Sequence, residues 1–252
     1  MAMPYIESIT QAGKTIEVER YYSNRFGSKG QRRADKVKPS PEEMVAINNR
    51  IAEKKLRRLI NENFGGGDYH LVLSYKRNKG DPHRTPEEMR EDAARFMRSL
   101  RREYKKLGKE LKYIHVPEVG TKGARHHHLI VNAIPPDIIQ RCWPHGRINI
   151  NPLDSSGQYR DLAAYLVKYS SKVIKDPTER ISGKRWNASK NLRHPISKKR
   201  IISSRSFYRT EPRIPPRLRG KAYIDADSVA IGIHSPEYYG YGFMRYTIVM
   251  LC

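Results

Sequence analysis

The sequence predicts a mixed α/β chain of the α+β kind, and three observations predict it. Two segments open on a capping box with proline at the first helical position, Ser40-Pro41-Glu42-Glu43 and Thr85-Pro86-Glu87-Glu88, and continue with apolar residues at helical spacing. Short apolar or aromatic runs, 69–75 (YHLVLSY), 112–119 (KYIHVPEV) and 126–133 (HHHLIVNA), read as strands. With 38% hydrophobic and 30% charged residues, 252 residues suffice for one large domain or an ordinary one with extensions.

In order along the chain, residues 1–39 are rich in Gly, Lys and Arg and weakly periodic, which suits a basic flexible or partly ordered arm. Ser40 opens a helix with Met44, Ile47, Ile51, Leu56 and Leu59 on one side, stopped by Gly65-Gly66-Gly67. After the strand at 69–75, Met89, Ala93, Phe96, Leu100 and Tyr104 mark a second helix up to Gly108. The strands at 112–119 and 126–133 flank Gly120-Thr121-Lys122-Gly123, a hairpin signal. A short helix at 136–141, a strand at 147–150 and a helix over about 158–175 complete a domain expected to span 40–179. The remainder, 180–252, reads as a basic and aromatic extension. Its first part, 180–221, holds 14 Lys or Arg against one acid, Glu211, with Trp186, Phe207 and Tyr208 interleaved. Its aromatic end (Tyr238, Tyr239, Tyr241, Phe243, Tyr246) suits a strand returned to the core or a surface packed on a partner.

A formal charge of +23 and a pI near 10.1 argue against a neutral metabolic enzyme. Nucleic acid is the commonest polyanion that balances such a charge, with a membrane surface as the competitor. Cys142 and Cys252 offer neither a disulfide framework nor a CxxC zinc site. The longest apolar run, 247–252, is too short to span a bilayer, so the expected location is the cytoplasm, with no membrane partner. No GxxxxGK[ST] phosphate loop occurs.

The stretch His126-His127-His128-Leu-Ile-Val carries the most chemistry. Strand side chains alternate, so His126 and His128 point one way and His127 the other. An HxH pair by itself is more often a surface feature of a strand. Glu118, across the hairpin, can bring a carboxylate beside the pair, and two nitrogens with one oxygen suit Mg²⁺ or Mn²⁺ with positions left for substrate. About forty residues on, Tyr165 and Tyr169 share a helical face, and Lys168 and Lys172 each follow a tyrosine by three. Alone, that is also an amphipathic helix with core tyrosines and snorkelling lysines. Joined to a metal site, it meets a need: a tyrosine hydroxyl titrates near ~10, and neighbouring ammonium groups favour its anion and the charge developing on phosphorus. The product is a tyrosine joined to a DNA 5′ phosphate, with a free 3′ hydroxyl able to prime synthesis.

Three motifs, in family order, resemble those of the HUH endonucleases, and specifically the rolling-circle replication initiators (Rep) of phages and plasmids. His70-Leu-Val-Leu-Ser-Tyr75 is similar to the first, and Arg125-His126-His127-His128-Leu-Ile-Val131 to the second, although His127 stands where a hydrophobic residue is usual. Tyr165-Leu-Val-Lys168-Tyr169-Ser-Ser-Lys172 resembles the third in its two-tyrosine form; the likeness covers roughly 69–175.

The resemblance implies a palm of five antiparallel strands flanked by helices, with the His pair on a central strand. It implies His126, His128 and Glu118 as ligands of Mg²⁺ or Mn²⁺, and Tyr165 and Tyr169 as nucleophiles, with a slight preference for Tyr165 as the first. Single-tyrosine relatives leave open that one aromatic only packs. Tyr159 reads as packing or helix entry, and Tyr75 and Tyr113 as core or DNA-stacking residues. Arg125, Lys184, Arg185, Trp186, Lys198, Lys199 and Arg200 are the DNA-contact candidates. The expected activity is a metal-dependent, strand-specific nicking and joining of single-stranded DNA at a replication origin, with helicase and polymerase supplied by the host or an accessory protein. The alternatives are an HUH transposase and a non-catalytic, basic nucleic-acid-binding protein. A relaxase is disfavoured by motif order.

Overall fold

The computed structural model describes residues 4–23, 40–76, 82–120, 123–175, 184–203, 211–233 and 242–251. The elements begin with β1 (Tyr5–Ala12), β2 (Thr15–Tyr22), α1 (Pro41–Asn63), β3 (Tyr69–Ser74), α2 (Pro86–Lys106), β4 (Tyr113–Val119) and β5 (Arg125–Val131). They continue with α3 (Pro136–Arg141), β6 (Ile148–Pro152), α4 (Arg160–Lys175), β7 (Asn187–Ala188), β8 (Ser197–Ile202), β9 (Ala222–Ile233) and β10 (Gly242–Met250). They fall into two compact units, Glu43–Arg193 and Met1–Glu42 with His194–Cys252. Among the described residues no helix is long and apolar enough to cross a membrane.

The unit Glu43–Arg193 is built on a five-stranded sheet in the order β6-β3-β5-β4-β7, every neighbouring pair antiparallel. The period-two alternation of its strands sends side chains into two separate cores. On one face Ile114, Val116 and Ile130 meet Leu56, Leu59 and Ile60 of α1 and Ala163, Leu166 and Val167 of α4. On the other, Leu71, Leu73, Leu129 and Val131 meet Phe96, Met97, Leu100 and Tyr104 of α2. The start of α2 is the capping box anticipated from its sequence: Glu88 N donates to Thr85 Oγ1, and Thr85 N donates to the Glu88 carboxylate. Within α1 the expected apolar side divides, because Leu56 and Leu59 are buried whereas Met44, Ile47 and Ile51 are exposed.

The second unit was not legible as such. Within 1–39, expected as an arm, β1 and β2 form a hairpin through Gly13-Lys14, where Gly13 takes the left-handed conformation (φ 53°) that favours glycine. That hairpin enters a second antiparallel sheet, β8-β1-β2-β10-β9, around Ile16, Val18, Met244, Tyr246 and Ile248. The buried Glu7 bridges its neighbours, accepting from Arg20 on β2 at 2.8 Å and from Arg200 on β8. The expected extension 180–252 therefore divides: Leu192 joins the α1–α4 core of the first unit, and the residues from His194 onward belong with the N-terminal hairpin. Phe207, Tyr208, Tyr238, Tyr239 and Tyr241 lie outside the described residues.

Candidate active site

β5 is the middle strand of its sheet, and its alternation decides which histidines can act together. His126 and His128 share the face occupied by α4, with Ile130 beyond them in its core; His127 lies on the α2 face. Register sets Glu118 opposite His126 and Val116 opposite His128. The Glu118 side chain nevertheless reaches diagonally: its Oε2 lies 2.5 Å from His128 Nε2 and 3.8 Å from His126 Nδ1. The other nitrogen of His128, Nδ1, is 3.2 Å from His70 Nε2 on the neighbouring β3. His70 was quoted in the first motif without a role. Its signal was strand parity, since 70, 72 and 74 share a face, but parity alone did not say that β3 lies beside β5.

α4 brings the tyrosines to this group. Its Ala163, Leu166 and Val167 are buried in the core, which leaves Tyr165 and Tyr169, one turn apart, facing the histidines. The Tyr165 and Tyr169 ring centres are 4.6 Å apart, and they lie 5.4 and 5.9 Å from the His128 ring. Tyr165 is 40% exposed, so an incoming strand can reach its hydroxyl. Its pKa is pushed up to about 12, first by burial, then by the Glu118 charge and by Tyr169. That is the reverse of the lowering expected from the lysines. Lys168 is exposed and its ammonium is solvated; the Lys172 side chain lies outside the described residues.

The donor chemistry fits a divalent ion. Glu118 is buried, and burial lowers the pKa values of His126 and His70, the latter to about 4, which keeps them in the neutral form that binds metal. The spacing is that of hydrogen-bonded side chains: neighbouring ligands of an octahedral ion with ~2.1 Å bonds stand roughly 3 Å apart, and the 2.5 and 3.8 Å separations fall on either side of this. Among the described residues no group of three or more His, Cys, Asp or Glu is arranged around a metal position.

Residues 68–174 match the family model of the replication-associated proteins, those of the ORF2 and gene-two-protein type. The chain is a Rep-type protein. The family is one of rolling-circle replication initiators, and the match runs from just before β3 to the end of α4, the stretch that carries every side chain of the site. No curated protein and no solved structure matches the chain.

The DNA-contact candidates of this Rep-type protein are dispersed. Arg125 begins β5 beside the His group, and Lys184 is exposed. Arg185 donates to Asn49 Oδ1 of α1 at 2.7 Å, and Trp186 packs against the α1–α4 core instead of standing free to stack on bases. Lys198, Lys199 and Arg200 are on β8 in the other unit, where Arg200 is engaged by Glu7. Tyr159 is core, donating to Asp154 O at 2.8 Å, and Tyr113 packs in the α2 core.

His127, in the position usually hydrophobic, is 0% exposed. Its Nδ1 is 2.9 Å from His115 Nε2 and its Nε2 is 2.8 Å from Tyr75 Oη, so a polar chain runs through the α2 core of the Rep-type unit. Burial first, and then the nearby His128, hold the fully buried His115 at about 4 against an ordinary 6.5. The folded-state value is the lower one, so the unfolded chain takes up the proton first. Stability is expected to be full above pH 6.5 and to decline as pH falls towards 4. Urea unfolding over this range checks it, and His115→Gln should make the decline shallower.

Proposed function

We propose that the chain initiates rolling-circle replication as a metal-dependent nicking and joining enzyme for single-stranded origin DNA. One observation carries the reading: two tyrosine rings at 4.6 Å from each other, one of them well exposed, stand against the His128–Glu118 pair on one sheet face. In the proposed step a tyrosine Oη attacks the scissile phosphorus. The bond from phosphorus to the 3′ oxygen breaks, the tyrosine keeps the 5′ phosphate, and the 3′ oxygen leaves as a hydroxyl after gaining a proton. Attack by the new 3′ hydroxyl on the same phosphotyrosine reverses the step, which is joining. A second tyrosine one turn away lets a second strand be attacked while the first remains attached.

His126, His128 and Glu118 would hold Mg²⁺ or Mn²⁺, with His70 behind His128. When bound, the ion supplies polarisation of the phosphate and offsets the Glu118 charge that raises the Tyr165 pKa. His70 orients the His128 ring through its other nitrogen, as a second-layer partner does for a ligating imidazole. Arg125, at the start of the same strand, is placed to meet phosphate oxygens beside the site. Strand separation and synthesis fall to a helicase and a polymerase. The family match supports this reading over a transposase.

The test is incubation of the pure protein with single-stranded origin DNA and Mn²⁺ or Mg²⁺, followed by a denaturing gel and peptide mass spectrometry. The expected result is a Tyr165 or Tyr169 peptide carrying a 5′-linked nucleotide, absent with EDTA. Bound but uncut DNA under every metal condition would return the chain to the non-catalytic binding reading.

A further inference from the structure

The C-terminal half of α2 carries Arg98, Arg101, Arg102 and Lys105, the i, i+3, i+4 and i+7 positions of one helical stripe. All four are exposed, and none forms an ion pair among the described residues. Nearer the N-terminus the same helix neutralises its cations, with Arg90 on Glu87 and Arg95 on Asp92. The stripe walls an open groove of about 820 Å³, which is bounded opposite by Arg141 at the end of α3 and lined below by Trp143 and Phe96. α2 packs on the sheet through Leu71, Leu73, Leu129 and Val131, the face opposite His126 and His128. The groove and the tyrosines are therefore separated by the thickness of the sheet.

We propose that this groove is a second DNA-binding surface, which takes the phosphate backbone of duplex DNA. Seven residues of helix rise ~10 Å, about the length of three successive phosphates on one strand at ~3.4 Å each. Guanidinium groups match phosphate oxygens with two parallel hydrogen bonds and need no base identity to do so. The groove's rings decide between duplex and single strand. A single-strand track presents aromatic faces to unpaired bases, but Trp143 is 3% and Phe96 2% exposed, and Trp143 Nε1 is spent on Ser74 O. What the groove offers to solvent is charge at backbone spacing. It would hold duplex flanking the origin while the other sheet face works on the opened strand. The proposal rests on the chain's being a DNA-binding Rep-type protein, and not on the tyrosine chemistry.

The test compares the full-length protein with the triple variant Arg98→Gln, Arg101→Gln, Arg102→Gln, measuring binding of a short duplex of unrelated sequence across a salt series. The expected result is a slope of log K against log salt reduced by about 2 to 3, with at least roughly tenfold weaker duplex binding at low salt. Single-strand affinity and cleavage stay unchanged. A control pair on α1, Arg50→Gln with Lys55→Gln, should leave duplex binding near the parent. The matching arginine-to-lysine triple, which keeps charge and helix, should retain the slope. An unaltered slope in the glutamine triple overturns the proposal. So does an equal loss in the α1 control, an equal loss on single strands, or a slope lost in the lysine triple. Failure of the nicking reading shows separately, as no adduct from any of these proteins.

Discussion

Tyr165→Phe combined with Tyr169→Phe is expected to abolish the covalent protein–DNA adduct, a fall of about 1,000-fold or more, with single-strand affinity within about twofold of the parent. Phenylalanine keeps the ring that packs against His128 and removes only the oxygen that bonds to phosphorus, so a loss of adduct reports chemistry and not folding. The single variants separate the two roles. Tyr165 is the more exposed and stands nearer the His128 ring, so Tyr165→Phe should suppress the first cleavage. Tyr169→Phe should cleave once and fail in transfer to a second strand. Adduct yield on denaturing gels, with a two-strand transfer assay, reads both. An undiminished adduct in the double variant would move the nucleophile off α4 altogether.

His128→Ala and His126→Ala are expected to agree in activity and to differ in stability. Both should lower cleavage by about 100-fold or more, because each removes an imidazole from the set facing the tyrosines. His128 is buried, and its removal leaves the buried Glu118 carboxylate without its 2.5 Å partner and His70 without its 3.2 Å one. Breaking a buried pair of this kind costs roughly 3–5 kcal/mol. His126 is 31% exposed and 3.8 Å from the same carboxylate, so its removal should cost under about 1 kcal/mol. Urea unfolding beside the adduct assay measures the contrast. A fully active His126→Ala protein would sink its role as a ligand.

The helices and strands of 40–175 were legible because their evidence is local. A capping box, proline at the first position and period-3.6 apolar residues specify α2 wherever it packs. The sheet of 5–22 with 197–250 was not, because β1 and β2 take β8 and β10 as neighbours from the far end of the chain, and no window of sequence holds both partners. Trp186 went astray for a related reason: an aromatic amid cations looks like a base-stacking residue until the core that covers it is known.

The sequence by itself determined that His126 and His128 share a face, that His127 takes the other, and that Tyr165 and Tyr169 lie on one side of a helix. Those are consequences of the strand and helix periods, and they hold in any fold that keeps the elements. Only the tertiary structure decided that Glu118 bonds His128 across the diagonal, that His70 supports the same ring, and that the site raises the Tyr165 pKa instead of lowering it. Each of these depends on which strand lies beside which, and on what burial does to a charge, and neither follows from spacing along the chain.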